Sequence, residues 1–369
     1  MKKIALLISG FLIAFASPSI SSAETLINLN KPSTQLADGR FINNDLALSI
    51  SPGGDLDALL SKPVRGARTW VIDPALLEEI TSLGDGYTYL DGDGEEVIVG
   101  DFPIANEWLT LLRFLTRNDR IVTTTYGAPS ISYLSRIAPG ELAIYNQLSL
   151  IRLQELMGRD VIAPDSKDSG EPAAVARNSY NSMRKTIRVL NSLVTTSDVE
   201  TLRLGLAKTL NPSLSRANAT LLTRSYQSEV KRFENRIRVS SGNYTITASR
   251  YELPLTVIND FDQQVSVDLD ITTTNSRVLV DQVPRITIDP RSQLQIKVPL
   301  NVIASGDTSL RIQIRTPKGS AIGEAERIPL RLAVISPVTT WFTTGMAIIL
   351  LLAAIIQSVR RVKRRKNHE

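Results

Sequence analysis

The sequence predicts an α+β multidomain protein: an N-terminal α/β domain resembling part of a (β/α) barrel, a helical segment, an Ig-like β-sandwich and one transmembrane helix. Three observations predict it. Strand-like runs that end in helix caps alternate with helical spacing through the first part of the chain. Short alternating runs recur at roughly 8–12-residue intervals across 236–335. Long apolar stretches stand at both ends.

Residues 1–23 open with Lys2 and Lys3, continue with an apolar run from Ile4 to Ala16, and close on Pro18, Ser21, Ser22 and Ala23. This is the order of a secretory signal, with cleavage expected after Ala23. The α/β domain is expected over 24–163, beginning with a lead-in strand or spacer through Gly39 that shows no sustained period. After Gly53-Gly54, Asp55 to Leu60 reads as a short helix and Ala67 to Ile72 as a buried strand. Asp73 then caps a helix whose first position is Pro74, since Asp accepts from free N–H groups and proline has none to lose there. Tyr87 to Val99 reads as a hairpin turning at Asp91 to Gly94. Ile104 to Asn118 carries Trp108, Leu111, Leu112 and Leu115 at helical spacing. A β-branched strand, Ile121 to Tyr126, stops at Gly127-Ala128-Pro129 before a helix at Ser130 to Arg136. Leu142 to Met157 forms a third unit, with a short strand near Val161.

The loop and helical segment occupies 164–235: a polar loop over 164–178, then mostly helix from Asn181 to Phe233, broken at Asn211-Pro212, with capping signals at Ser197-Asp198 before Val199-Glu200. Strands follow at Tyr244 to Ala248, Leu253 to Ile258, Val265 to Ile271 and Arg277 to Leu279, then at Arg285 to Ile288, Leu294 to Val302, Leu310 to Ile314 and Ile328 to Val334. Their spacing and turn residues predict the sandwich. The membrane helix is expected at 339–359: Trp341 to Val359 is 19 residues without a charge, about 28 Å of helix, enough to cross a bilayer core. The tail 360–369 carries Arg360, Arg361, Lys363, Arg364, Arg365 and Lys366, which the positive-inside rule places in the cytoplasm. It is too short to fold and suits contact with anionic headgroups. The expected topology is single-pass type I at the cell membrane, with the N-terminal domain extracytoplasmic.

The chain has 42 Lys plus Arg against 37 Asp plus Glu and a pI near 9.4, but the basic excess sits at the two ends. The part between them is slightly acidic, so no nucleic-acid partner is expected. Zero Cys excludes disulfides, thiol catalysis and zinc-thiolate sites, and the single His, His368, lies in the tail. A Ser-His-Asp triad and a His-ligated metal are therefore unavailable to the body of the protein.

Asp73 falls at the C-terminal end of an expected strand, where α/β folds place ligands. With Asp101, Glu107, Trp108 and Tyr126 it makes a candidate ligand-binding set, containing the carboxylate pairs that glycosidases and deacetylases use. The competing reading, helix N-cap, accounts for Asp73-Pro74 fully. Asp91 to Glu96 resembles the start of a calcium loop but lacks Gly at the sixth position and Glu at the twelfth, so a hairpin turn is favoured. No phosphate loop or dinucleotide fingerprint occurs. No cofactor, metal or catalytic residue is therefore expected.

Three phrases resemble a family. Leu253-Pro254-Leu255-Thr256-Val257-Ile258-Asn259-Asp260-Phe261-Asp262-Gln263-Gln264-Val265-Ser266-Val267 is similar to "iPvtvrN-dqpvtV"; Thr69 to Leu77 is similar to "tWavDPaLL"; Trp108-Leu109 and then Thr125 to Ser130 are similar to a Trp-Leu helix followed by "lPYaDpD". Together they resemble exported single-pass proteins of actinobacteria, a family of unknown function often encoded beside the lipid II flippase, over most of 60–369. The resemblance implies a cell-envelope role with the membrane and cell-wall precursor export or assembly proteins as partners. Where the third phrase has carboxylates, this chain has Ala128 and Ser130, which puts any acid-base or metal chemistry there in doubt. The expected function is membrane-anchored binding or scaffolding in support of peptidoglycan precursor export or wall assembly. The alternative is a carbohydrate-active hydrolase using Asp73 and a second carboxylate.

Overall fold

The structure is a computed structural model that describes residues 25–61, 67–164, 170–240, 242–333 and 337–365. The secretory signal expected at 1–23, the middle of the polar loop, the end of the last sandwich strand at Val334 and the end of the basic tail lie outside the described residues. The chain divides into two compact units: Thr34–Ile42 belongs with the part from Ser169 onward, and the remainder up to Asp168 forms the other.

The first unit runs β1 (Thr25–Leu29), α1 (Asp45–Ile50), α2 (Asp55–Ser61), β2 (Arg68–Ile72), α3 (Pro74–Leu83), β3 (Tyr87–Leu90), β4 (Glu96–Val99), α4 (Pro103–Thr116), β5 (Arg120–Thr123), α5 (Ile131–Ile137) and α6 (Pro139–Met157). The lead-in stretch proves to be a strand in the main sheet: β1 pairs in parallel with β2, and β2 with β5. A parallel bridge from Val122 to Ile162 adds a fourth position. Strands that enter a parallel sheet in chain order, with helices between them, repeat the arrangement of one half of a (β/α) barrel. Ile27, Leu29, Trp70, Ile72 and Ile121 share one face of this sheet and are buried, as the register places them side by side. The hairpin β3–β4 turns at Asp91, whose Oδ1 accepts from Asp93 N and Glu95 N at 2.9 Å each, so that carboxylate is occupied by the turn. The strand expected to reach Tyr126 ends at Thr123: Thr124 N makes the last ladder bond, to Ile72 O at 3.0 Å, and the chain then leaves the sheet.

The second unit contains α7 (Ala174–Asn191), α8 (Ser197–Thr209) and α9 (Arg216–Glu234). The loop expected through residue 178 ends sooner, since Ala174 and Ala176 are strong helix formers. The α8 cap is Thr196, one residue before the expected Ser197, with Thr196 Oγ1 accepting from Val199 N. Thr34–Ile42 folds back on itself through an antiparallel bridge from Gln35 to Phe41, and Ala37 N donates to Ser225 Oγ on α9 at 2.9 Å.

The sandwich comprises β6 (Ile237–Val239), β7 (Tyr244–Ile246), β8 (Arg250–Asn259), β9 (Val265–Thr273), β10 (Val278–Val280), β11 (Ile286–Ile288), β12 (Ser292–Val302), β13 (Gly306–Arg315) and β14 (Ala321–Leu332). One sheet has the order β10-β12-β8-β6 and the other β11-β9-β13-β14-β7. Alternate residues such as Leu253, Leu255 and Val257 of the first, and Val265, Val267, Leu310 and Ile312 of the second, are buried. That alternation is what two sheets packed face to face require. Strand β6 and the first half of β14 fall outside the expected strands, since Ile237–Val239 is too short to show a period and a bulge interrupts β14. Last comes α10 (Pro337–Arg365). Among the described residues no helix is long and apolar enough to cross a membrane, and the described side chains of α10 run only from 344 to 358.

Candidate functional site

The C-terminal ends of β2 and β5 bring together two of the sequence-predicted residues, Asp73 and Tyr126. Asp73 follows β2 directly and is 1% exposed. Its Oδ1 accepts from Ala75 N at 3.0 Å, capping α3, and from Gly127 N at 3.0 Å in the loop after β5. One carboxylate oxygen therefore fixes the start of a helix and the position of a neighbouring strand-to-helix loop. That loop turns sharply: Gly127 and the non-glycine Ala128 both have positive φ, 71° and 44°, and Ala128 N donates to Thr125 O at 2.8 Å. Ser130, fully buried, closes it by capping α5, with its Oγ accepting from Tyr133 N.

Tyr126 is also buried, and its hydroxyl donates to Glu78 on α3, which faces Arg152 on α6 at 3.8 Å. Beside it, Thr125 Oγ1 donates to Asn146 Oδ1 at 2.6 Å, and Ser149 Oγ donates to Thr124 O. On the β1 side, Ser33 Oγ donates to the buried Glu79. Lys31 Nζ reaches Ser49 Oγ at 2.6 Å and Asp55 at 2.7 Å. Burial pushes the Asp55 carboxyl upward, but the bonds from Lys31 and Ser49 outweigh it and hold the group below its ordinary value.

The other candidates are divided between surface and core. Asp101 lies exposed ahead of α4 and Glu107 lies exposed on α4, whereas Trp108 on the same helix is buried with an indole N–H that has no hydrogen-bond partner among the described residues. Asp73 and Tyr126 are brought to adjacent strand ends; Asp101 and Glu107 face water. Among the described residues no group of three or more His, Cys, Asp or Glu side chains is placed to hold a metal ion.

Sequence reasoning missed a feature of the sandwich. Between β13 and β14 the pairing slips from Ile312↔Glu326 to Ile314↔Ile322, leaving a bulge on β14 with Gly323 at φ 62°. Gln313 Nε2 donates to Ile322 O at 2.9 Å and to Gly323 O at 3.2 Å, satisfying carbonyls the ladder leaves free, while Gly323 N donates to Glu234 Oε1 at 3.0 Å. Recesses of about 540, 490 and 220 Å³ flank this bulge. The one sequence signal was Gly323 within an otherwise strand-like run.

No curated protein matches the chain. Among solved structures, WR4, a member of the MSP family from C. elegans, is similar at 14% identity over 27% of this chain and 98% of its own, with a TM-score of 0.21. Alpha-2-macroglobulin from E. coli is similar at 14% identity over 26% of this chain and 6% of its own, TM-score 0.21. The E. coli chaperone DraB is similar at 14% identity over 27% of this chain and 57% of its own, TM-score 0.21. Residues 128–367 match the family of unknown function DUF6049, a segment that contains the sandwich and Ala128 to Ser130 but none of Asp73, Asp101, Glu107, Trp108 and Tyr126. The chain belongs to the family of unknown function DUF6049.

Proposed function

We propose that this is a membrane-anchored envelope protein that binds or scaffolds without catalysis at the outer face of the cytoplasmic membrane, in support of cell-wall precursor export or assembly. The observation that carries the anchor is the surface of α10. Met346, Ile348, Ile349, Leu350, Leu351, Leu352, Ile355 and Ile356 are all exposed. Five consecutive residues cover more than a full turn, so this helix has no single face that packs and no polar face for water. An apolar surface on every side is stable only in hydrocarbon, and the cations from Arg360 onward hold that end in the cytoplasm. Lipid II flippase and its associated proteins are the partner class implied by the family resemblance.

The non-catalytic reading is supported by Asp73. Its Oδ1 is occupied by two backbone donors, and Asp101 and Glu107 stand exposed to water, not enclosed in a site with a substrate-facing partner. The test is membrane extraction together with proteolysis. After alkaline carbonate washing the protein should stay with the membrane pellet, and protease added to wall-stripped cells should remove residues 25–333. Release by carbonate would overturn the span, and full protection of 25–333 would overturn the orientation.

A further inference from the structure

We propose that the outer face of the sandwich carries an anion site built on Arg311 and Arg327, and that it takes a phosphate or pyrophosphate group. The strand register places these two arginines directly opposite each other across β13 and β14, while on the other side Arg311 stands opposite the neutral Thr272 of β9. Residues paired in this way have Cα atoms about 4.5–5.5 Å apart, and like charges there destabilise a sheet. Two other arginines of the face are paired, Arg315 with Asp270 at 2.7 Å and Arg285 with Asp268 at 2.9 Å, and Arg331 has an acid, Asp307, as its register partner. Arg311 and Arg327 are exposed and have no carboxylate partner among the described residues.

A shaped recess goes with the charge. The bulge opens about 490 Å³ lined by Arg311, Gln313, Gly323, Glu324, Ala325 and Arg327. A second recess of about 220 Å³ shares Arg311 and Gln313 and is walled by the Arg315–Asp270 pair. The acid in the first recess, Glu324, is drawn to Lys231 at 3.4 Å, so the two guanidinium groups remain the uncompensated charge. Gln313 is held by three carbonyl oxygens and keeps the floor in place. Planar guanidinium forks match phosphate oxygens two at a time, and two forks side by side suit the paired phosphates of a pyrophosphate.

Phosphate of this kind comes from a soluble phosphorylated compound or from a lipid headgroup. The test uses the full chain in neutral detergent, titrated calorimetrically with inorganic pyrophosphate and, separately, with a short-chain phosphatidylglycerol. The native protein should bind at least one of them, and R311Q/R327Q should weaken that binding about 100-fold, about tenfold for each guanidinium removed. The ligand-free variant should unfold at a denaturant concentration equal to or above the native one, because removing the pair relieves repulsion. Binding of pyrophosphate that the double variant loses supports the site with a soluble source, and such binding of phosphatidylglycerol alone supports it with a headgroup source. Binding of neither ligand, or equal binding by native and variant, overturns it.

Discussion

At Asp73 one carboxylate oxygen accepts from an N–H in the first turn of α3 and from one in the loop after β5, so that oxygen is satisfied by the backbone. Asparagine retains an oxygen in that place. Asp73→Asn should therefore cost about 1 kcal/mol or less, whereas Asp73→Ala should cost about 2–3 kcal/mol, a lost cap plus a buried donor left unpaired, as read from urea unfolding. Asn259, fully buried, makes the equivalent closure in the sandwich: its Nδ2 donates to Gln263 O and Asp289 O at 2.9 Å each, and its Oδ1 accepts from Phe261 N at 3.0 Å. Asn259→Ala should cost about 2–4 kcal/mol by the same measurement, since a small apolar residue leaves those groups dry and unpaired. At Asp268 the hydrogen bond from Arg285 holds the carboxyl below its ordinary 3.8. At Asp38 burial pushes upward, yet the bonds from Arg40 prevail and the group is lowered too. Groups lowered in the folded state add stability above the unfolded value and lose it as pH falls through the folded one. The urea midpoint should thus stay flat above about pH 5 and fall below about pH 4, with a shallower fall in Asp268→Asn. A midpoint that rises on acidification would contradict this.

Helices α8 and α9 meet at a glycine. A Cβ placed on Gly205 would lie 1.9 Å from Cε1 of Tyr226, so the two helices approach at a distance only glycine permits. In an exposed helix Gly→Ala stabilises by about 0.5–1 kcal/mol, but here the sign reverses. Gly205→Ala should destabilise by about 1–3 kcal/mol through overpacking, and Tyr226→Ala in the same chain should relieve part of that cost, a coupling that a double-mutant cycle of unfolding measurements reads directly. The bulge of β14 follows similar logic at the level of a strand: Gly323 accepts the left-handed turn, and Gln313 supplies the hydrogen bonds that the slipped ladder cannot.

At the scale of the molecule, the second unit joins helices to the sandwich. Arg236 lies 3.9 Å from the centroid of the Phe233 ring on α9 and 5.7 Å from that of Phe261 in the turn after β8. Glu234 of α9 bonds the bulge. A fragment of residues 236–333 should give a β-type circular dichroism spectrum with a cooperative melt, because the sandwich core is self-contained, but it should melt lower than a fragment of 170–333 that retains α7 to α9. Equal midpoints would show that the helices add nothing to the sandwich.

Much of this architecture was legible in the residues themselves. Period-two alternation located the long strands, Asp73-Pro74 located a helix start, and an uncharged stretch followed by cations marked α10, because each signal is local and depends only on neighbouring side chains. Three features depended on long-range packing. Thr25–Leu29 has no local period of its own and became a strand through pairing with Arg68–Ile72, far along the chain. Asp73, legible as a cap, is buried, whereas Glu107 is left exposed because α4 packs through Ala105, Trp108, Leu109 and Leu112. Arg311 and Arg327 are two ordinary exposed strand residues in the sequence. Their confrontation exists because the β14 bulge sets the register, and a register slip of one residue would send each side chain to the opposite face.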